Sequence, residues 1–329
     1  MAKDPPPFAQ SDYWDERFTK NPSAFDWLLP ANCLDGPIVE AIDASSNPRP
    51  SLLHIGCGTS VLSLHLRSHV KDPRQIHNTD FSRVAVELGA KWEREVFEAE
   101  VAAKEAGGSF GTNEKPANPD PASSPTTNGE GRVEITNGSP DHPPRMRWST
   151  LDLLSPSSIR ALAEKETYDI VVDKSTCDAI SCGDDVCVSL PHSLLPADFT
   201  LNLGVEATIL KIHPLHILAL HLASLVPAGG RWIALSYCGH RFPFFEPYPE
   251  KVEEGRLDDE VFAKGFVHPG RLWRLERKEM VEVEVEGSGA EGRGIVHRPR
   301  TAHWVYVMAR TDVALGVKRQ RTENNMQSI

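Results

Sequence analysis

The sequence predicts an α/β fold in which a mostly parallel sheet carries helices on both faces. Short apolar segments typical of buried strands alternate with segments whose apolar residues recur at helical spacing. Such alternation favours parallel strands that are connected by helices. The last two strand-like segments follow each other without a helix between them, which indicates an antiparallel hairpin at one edge of the sheet.

The individual elements can be assigned in chain order. The predicted strands are SLLHIGC (51–57), QIHNTDF (75–81), MRWSTLDLL (146–154), YDIVVDKS (168–175), GGRWIALSY (229–237), RLWRLERKEMVEVEVE (271–286) and TAHWVYVMAR (301–310). The predicted helices are VLSLHLRSHV (61–70), SRVAVELGAKWEREVFEAEV (82–101), SPSSIRALAEK (155–165) and PLHILALHLASLV (214–226). In a sheet ordered 3-2-1-4-5, ligands bind at the carboxyl ends of strands 1 and 4, where the strand order reverses.

One region interrupts this pattern. Residues 104–145 contain only three large apolar residues, Phe110, Val133 and Ile135. Such a segment cannot bury enough surface to offset its chain entropy. We therefore predict a disordered insertion within a single domain that spans residues 11–313. Residues 1–10 and residues 314–329 are predicted to be disordered ends.

Charge and composition exclude several classes of function. The chain of 329 residues has a formal net charge of -11, which argues against nucleic acid as a partner because phosphate binding requires positive charge. No apolar run is long enough for a transmembrane helix, and no targeting segment is visible, so no membrane partner is predicted. The six cysteines form no C-x-x-C pair and no zinc-binding spacing, which predicts reduced thiols and no metal site. These features indicate the cytoplasm, and a weak basic cluster in the C-terminal tail leaves the nucleus as an alternative.

The first predicted strand ends in half of a nucleotide-binding motif. Gly56 and Gly58 form G-x-G, but Val61 replaces the third glycine of the dinucleotide motif G-x-G-x-x-G. The glycines of that motif serve chiefly the close approach of the backbone to a pyrophosphate and close helix–strand packing. S-adenosylmethionine contains no phosphate and makes no such demand, so we predict it as the cofactor. A structural glycine turn and a site for NAD stay as alternatives at this point.

Three acidic residues follow further strands. Asp80 ends the second strand, 22 residues after Gly58, where an acid can bind the two ribose hydroxyls. Asp152 follows the third strand, where a carboxylate can accept the adenine amino hydrogen, and Asp173 ends the fourth strand. A helix cap or a loop position would explain each acid alone. Together with Gly56, the register of the three acids favours a cofactor site at the carboxyl edge of the sheet.

Six segments carry a resemblance to a known family. They are DYWDERFTKNPSAFDWL, LHIGCGTSVLS, NTDFSRVAV, RWSTLDLL, YDIVVDKSTCDAI and VPAGGRWIALS, in that order. Over residues 12–100 and 146–237 the chain resembles the seven-strand methyltransferases that include the elongation factor 1-alpha lysine methyltransferases and the citrate synthase lysine methyltransferase. The segment DKSTCDAI is similar to the family's D-K-G-T-x-D-A motif and is the most specific part. The resemblance implies a Rossmann-like class I methyltransferase fold with seven strands.

The resemblance also implies which residues contact S-adenosylmethionine. They are Trp14, Phe18, Trp27, Gly56, Gly58, Asp80, Phe81, Asp152, Leu153 and Lys174. Two residues depart from the family pattern, because His54 replaces an acid before the first glycine and Ser175 replaces the glycine of D-K-G-T. Without the resemblance, Trp14, Phe18 and Trp27 can be interpreted in two ways. They form a lid over a sulfonium, or they pack on the hydrophobic core.

Asp173 and Tyr237 are the candidates for the chemical step. Asp173 could orient an acceptor amine at the point where the strand order reverses, and Tyr237 follows the fifth strand. A lysine acceptor must lose its proton first, and desolvation lowers the pKa of an amine. The expected function is methyl transfer to a lysine of a protein substrate, and the resemblance makes a translation elongation factor one candidate. Methylation of a small metabolite and a non-catalytic binding module are the alternatives.

The acid-rich stretch 246–264 also bears on the substrate. A solvated loop is the ordinary interpretation of such a stretch. A docking surface for a basic protein is the alternative, since complementary charge steers protein association.

Overall fold

The computed structural model describes residues 6–105, 144–196, 207–245, 257–282 and 302–317. The strands are β1 (Leu52–Ile55), β2 (Ile76–Asp80), β3 (Arg147–Thr150), β4 (Ile170–Lys174), β5 (Val186–Leu190), β6 (Leu194–Pro196), β7 (Thr208–Ile212), β8 (Arg231–Ser236), β9 (Trp273–Glu282), β10 (Ala302–Arg310) and β11 (Leu315–Val317). The helices are α1 (Ser11–Lys20), α2 (Asp35–Asp43), α3 (Leu62–His65), α4 (Arg83–Glu105), α5 (Pro156–Ala163), α6 (Thr176–Ile180), α7 (Pro214–Leu225), α8 (Asp259–Ala263) and α9 (Pro269–Leu272).

Seven strands form one sheet in the order β3-β2-β1-β4-β8-β10-β9. Pairing is parallel from β3 to β8 and antiparallel between β8 and β10 and between β10 and β9. Counted along the chain within this sheet, the order is 3-2-1-4-5-7-6. This arrangement confirms the predicted Rossmann-like class I methyltransferase fold and its antiparallel edge hairpin.

Each face of the sheet is covered by helices, so the central parallel strands are buried on both faces. On one face, α5 and the almost entirely buried α7 pack on a core that includes Val171 and Trp232. On the other face, α2, α3 and α4 pack on a core that includes Leu52 and Ile233. Helix α1 lies against α4, where Trp14 and Phe18 contact Ala85. The carboxyl edge of the sheet is thereby left for a site between α1 and the strand ends.

Two short two-stranded sheets were not predicted. Strands β5 and β7 pair antiparallel, and β6 pairs antiparallel with β11. The second pairing corrects the assignment of residues 314–329 to a disordered tail, since Leu315–Val317 forms β11 against Leu194–Pro196. Backbone hydrogen bonds to β6 order this segment. The rest of the tail lies outside the described residues.

The predicted limits of the disordered segments also change. Helix α4 continues to Glu105, and Met146 is buried with its amide N–H donating to Glu93 Oε1 at 2.7 Å. Residues 106–143, which hold most of the predicted insertion, lie outside the described residues. At the N-terminus, the prediction of disorder for residues 1–10 is wrong for Phe8, whose ring and carbonyl both contact Trp14.

Within the part of the chain that the structure describes, no helix combines the length and the apolar character that crossing a bilayer requires.

Candidate cofactor-binding and active site

A cavity of about 650 Å³ opens at the carboxyl ends of the parallel strands. It is lined by all ten residues that were predicted to contact a cofactor: Trp14, Phe18, Trp27, Gly56, Gly58, Asp80, Phe81, Asp152, Leu153 and Lys174. Tyr237, the second catalytic candidate, also lines it. Asp173 is not among the lining residues. The fold therefore brings together side chains from five separate segments, as a ligand site requires.

The glycine turn after β1 forms the floor of the cavity. Gly56 and Gly58 have φ angles of 55° and 49°, a region that L side chains rarely adopt. A Cβ atom on Gly56 would lie 2.2 Å from Thr176 Oγ1, and Thr176 Oγ1 itself donates to the carbonyl oxygen of Ile55 at 2.9 Å. The turn is thus pressed against the start of α6, and only glycine fits at position 56.

Asp80 is held at the end of β2 by two backbone amides. Its Oδ2 accepts from the Gly58 N–H and its Oδ1 from the Ser82 N–H, each at 2.8 Å. Burial raises the pKa of Asp80 to about 6, although these amide hydrogen bonds oppose the shift. The carboxylate therefore connects the glycine turn to the second strand and keeps lone pairs for a ligand in the cavity.

Asp152 and Leu153 form the wall after β3. Asp152 is exposed to the cavity and its Oδ1 accepts from the Leu154 N–H at 2.9 Å. The carbonyl oxygen of Leu153 contacts Nδ1 of the buried His221 at 2.7 Å. His221 belongs to the helix predicted over residues 214–226, and this contact joins that helix to the wall of the cavity.

The N-terminal aromatic residues cover the cavity. Trp14 and Phe18 stack with ring centroids 5.5 Å apart, and Trp27 meets Trp14 edge-to-face at 6.1 Å. Trp14 Nε1 donates to the carbonyl oxygen of Phe8 at 2.7 Å, which satisfies its one polar group. Phe25 donates its backbone N–H to the carbonyl oxygen of Thr59 at 3.0 Å. These residues form a lid that is attached to the glycine turn; we use "lid" for residues 8–28.

Lys174 attaches the lid to the sheet. Its Nζ donates to the carbonyl oxygen of Trp27 at 2.6 Å and lies 3.3 Å from Asp26 Oδ1, and its side chain is only 2% exposed. Burial lowers the pKa of this amine, while Asp26 opposes the shift. Lys174 lines the cavity as predicted. Its ammonium group is nevertheless engaged by Trp27 and Asp26 of the lid.

The structure corrects the catalytic prediction for Asp173. This residue is 0% exposed and lies beneath the start of α6, where its Oδ1 accepts from the N–H groups of Thr176 at 2.9 Å and Cys177 at 3.3 Å. Burial raises its pKa to about 7. Asp173 therefore caps a helix, as an acid at a helix start commonly does, and it does not reach an acceptor in the cavity.

The two departures from the family motif have clear structural consequences. Ser175 adopts a left-handed conformation with φ of 69°, at the position where the family has glycine. His54 is buried, and its Nδ1 lies 3.1 Å from both Asn78 Oδ1 and Ser63 Oγ. Burial lowers the pKa of His54 to about 4, so it is neutral at physiological pH. Both residues also line the cavity.

Asp178 lies beside Tyr237 and lines the cavity. Its Oδ1 accepts a hydrogen bond from the Ser236 hydroxyl and lies 2.7 Å from Arg241 Nε. Its Oδ2 accepts from the Tyr237 N–H at 3.2 Å. Burial raises the pKa of Asp178, against the opposing effect of the Arg241 guanidinium. Arg241 also lies 4.8 Å from the centroid of the Tyr237 ring. Sequence reasoning did not single out Asp178, although it is the second acid of the DKSTCDAI segment.

Only the end of the acid-rich stretch can be located. Asp258, Asp259 and Glu260 stand at the start of α8, and Glu260 pairs with Lys264 in the same helix. Residues 246–256 lie outside the described residues. The docking interpretation of this stretch stays a prediction.

The chain has similarity to known proteins at low sequence identity. No protein-family model matches the chain. Methyltransferase srdJ of Neurospora crassa is 27% identical over 191 residues, which are 57% of this chain and 61% of that protein. The match thus spans about three fifths of the relative's length.

Solved structures were also compared. An S-adenosylmethionine-dependent methyltransferase from Anabaena variabilis superposes with a TM-score of 0.44 at 12% identity, covering 94% of this chain and 96% of that one. Magnesium protoporphyrin IX methyltransferase from Synechocystis, solved with bound S-adenosylmethionine, superposes with a TM-score of 0.40 at 11% identity, covering 94% of this chain and 100% of that one. The chain is therefore similar in sequence to a methyltransferase, and the strand order of its sheet is that of the class I methyltransferase fold.

Proposed function

We propose that the protein is an S-adenosylmethionine-dependent methyltransferase. The observation that carries this proposal is the cavity at the carboxyl edge of the sheet, which collects the ten predicted contact residues from separate parts of the chain. Its shape suits the cofactor because the glycine turn, the acid after β2 and the acid after β3 follow each other along one side. The similarity to a curated methyltransferase supports the same proposal.

The charge of the cavity favours a cationic ligand over a dinucleotide. Among its described lining residues are four aspartates and one lysine, namely Asp12, Asp80, Asp152, Asp178 and Lys174. The lysine is already engaged by Trp27 and Asp26. A pyrophosphate would find no available side-chain cation among these residues, whereas a sulfonium is attracted by acids and by aromatic faces.

Each part of the cavity then has a defined role. S-adenosylmethionine, when bound, supplies a methyl group that is activated by its sulfonium. Asp80 binds the ribose hydroxyls and Asp152 accepts from the adenine amino group. The lid excludes water, and Trp14 or Trp27 adds a cation–π contribution of about 0.5 to 2 kcal/mol. Catalysis then rests on position and electrostatics, since the reactive group belongs to the cofactor.

The acceptor is a lysine of a protein substrate. Tyr237 is 52% exposed at the rim of the cavity, next to Asp178, and Asp12 of α1 is exposed on the same cavity. Acids at the mouth of a site attract a lysine ammonium, and the apolar interior favours its deprotonation by desolvation. Asp178 orients the amine in this proposal, held in place by Arg241. An elongation factor is the first substrate to try, on the family resemblance.

A small-molecule acceptor is the second candidate. It is favoured by the many apolar side chains in the cavity, among them Phe8, Phe25 and Ile180. An apolar metabolite could bind inside this cavity, and its methylation would not require a docking surface for a protein substrate.

The test uses the purified protein, S-adenosylmethionine with a labelled methyl group, and a cell extract that is separated into proteins and small molecules. We expect label on a protein, and on lysine after digestion. Label confined to small molecules would exclude the protein substrate and favour the second candidate. Failure to bind the cofactor and to transfer label would contradict the proposed function and favour a non-catalytic binding module. The Asp80→Ala variant controls for methylation by contaminating enzymes.

A further inference from the structure

Three potential metal ligands meet away from the cavity. Asp35 Oδ1 lies 2.5 Å from His65 Nε2 and 3.0 Å from His69 Nε2. All three donor atoms lie within 4.8 Å of one another. None of the three residues lines the cavity described above. Both imidazoles thus point the same nitrogen at a single carboxylate oxygen.

The local structure explains why the three side chains converge. His65 is the last residue of α3, and His69 follows four positions later in a continuing helical turn, so the two rings lie on one face. Their ring centroids are 5.2 Å apart. Asp35 is the first residue of α2, which packs beside this turn. A pair of histidines four residues apart with a carboxylate from a neighbouring element is a donor set that suits zinc and similar divalent ions.

The site has room for an ion and for a water ligand. The side chains of Asp35, His65 and His69 are 40%, 29% and 11% exposed. Three ligands at about 2.0 to 2.1 Å from zinc leave a fourth tetrahedral position open. Such ligands stand roughly 3.3 Å apart, so the carboxylate must move outward by less than about 1 Å from its present hydrogen-bonded position. The exposure of Asp35 permits that movement.

A hydrogen-bonded cluster without metal is the competing explanation. Burial opposes ionisation of Asp35, yet its hydrogen bonds with His65 and His69 hold its pKa below its usual value. In that cluster each imidazole donates Nε2–H to the carboxylate, whereas metal binding requires both Nε2 atoms to be without a hydrogen.

We propose that Asp35, His65 and His69 form a binding site for a divalent transition-metal ion, with zinc as the best match. An ion there would join the start of α2, which follows the lid in sequence, to the helical turn that follows the glycine turn. Bound metal thereby stabilises the frame of the cavity from outside. The proposal does not depend on methyltransferase activity, since it concerns residues that the cofactor does not touch.

The first experiment titrates the metal-free, full-length protein with Co²⁺ and then with Zn²⁺. We expect the visible absorption of tetrahedral or five-coordinate Co²⁺ with nitrogen and oxygen ligands, and its loss when zinc displaces cobalt. An intense thiolate charge-transfer band would instead place the ion on cysteines such as the exposed Cys182 and Cys187, and would overturn the proposal. No binding of either ion by the wild type would also overturn it.

Variants connect the signal to the three residues. His69→Ala and Asp35→Asn should weaken zinc binding by at least about tenfold, whereas His240→Ala, an exposed histidine at another site, should leave it unchanged. Zinc at a hundredfold excess over the wild-type Kd should raise the Tm of the wild type by roughly 3 to 8 °C, and should raise that of the variants by no more than about half as much because they bind zinc more weakly. Equal zinc affinity in wild type, His69→Ala and Asp35→Asn would contradict the proposal even if an ion binds. Circular dichroism confirms that each variant is folded.

Discussion

Ser175 adopts the left-handed backbone conformation that glycine reaches without steric cost. A non-glycine residue in this region destabilises the folded state by about 1 to 2 kcal/mol. Glycine avoids that cost, but the greater entropy of its unfolded chain destabilises the folded state by about 0.4 to 1 kcal/mol. We therefore expect Ser175→Gly to raise the free energy of unfolding by about 0.5 to 1 kcal/mol, measured by urea denaturation. Ser175→Ala, which keeps the Cβ atom, is the matched control and should show no gain. A loss of stability in Ser175→Gly would mean that the hydroxyl makes a contribution we have not identified.

Asp173 makes folding stability depend on pH. Its pKa is raised from 3.8 to about 7 by burial, so between about pH 4 and pH 7 the folded protein retains a proton that the unfolded chain has released. The contribution of this group to the free energy of unfolding is therefore full at low pH and is lost as pH rises towards 7. We expect Asp173→Asn, which keeps the acceptor oxygen for α6, to depend less on pH over this interval than the wild type.

Urea denaturation at several pH values measures this difference. Asp43→Asn changes an exposed acid and should follow the wild type. Parallel pH profiles for Asp173→Asn and the wild type would show that Asp173 does not carry the titration.

Asp178 is the residue on which the acceptor proposal depends most. Asp178→Asn keeps the shape of the side chain but removes the charge that faces Arg241 and the acceptor amine. We expect kcat to fall at least about tenfold, which corresponds to about 1.4 kcal/mol, while cofactor affinity changes less than about threefold. The comparison is with Asp185→Asn, an exposed acid in the loop after α6. Full activity in a variant whose Tm shows that it is folded would remove Asp178 from the mechanism.

The lid is an element to which one buried amine, that of Lys174, contributes a hydrogen bond. Lys174→Met keeps the length of the side chain and removes the hydrogen bond to the carbonyl oxygen of Trp27. We expect faster hydrogen exchange in residues 22–30 and about tenfold weaker cofactor binding, because the aromatic cover no longer stays closed. Lys71→Met, at an exposed position, is the control. Unchanged exchange in the lid of Lys174→Met would show that aromatic packing alone holds it.

Much of the whole molecule could be predicted from periodicity and from residues at strand ends. The seven main strands, the antiparallel edge, the glycine turn and the acids Asp80 and Asp152 follow from local patterns that the fold respects. The other residues of the cavity set were implied by the family resemblance. The sequence did not predict the short strands β5, β6, β7 and β11. Strands of three to five residues outside the main sheet depend on tertiary context for their pairing. Asp173 was misassigned for a related reason. Position at a strand end does not say whether a carboxylate turns towards the cavity or towards the helix that follows, and here the N–H groups of α6 bind it.

The most direct test of the central proposal is calorimetric titration of the purified protein with S-adenosylmethionine and, separately, with NAD. We expect S-adenosylmethionine to bind and NAD not to bind. Asp80→Ala should weaken binding by about 1.5 to 3 kcal/mol, the scale of a hydrogen bond to a charged group, and Asp43→Ala should leave it unchanged. Tight binding of NAD with no response to S-adenosylmethionine would contradict the proposed function, and equal cofactor affinity in wild type and Asp80→Ala would contradict the role of the carboxylate at the end of β2.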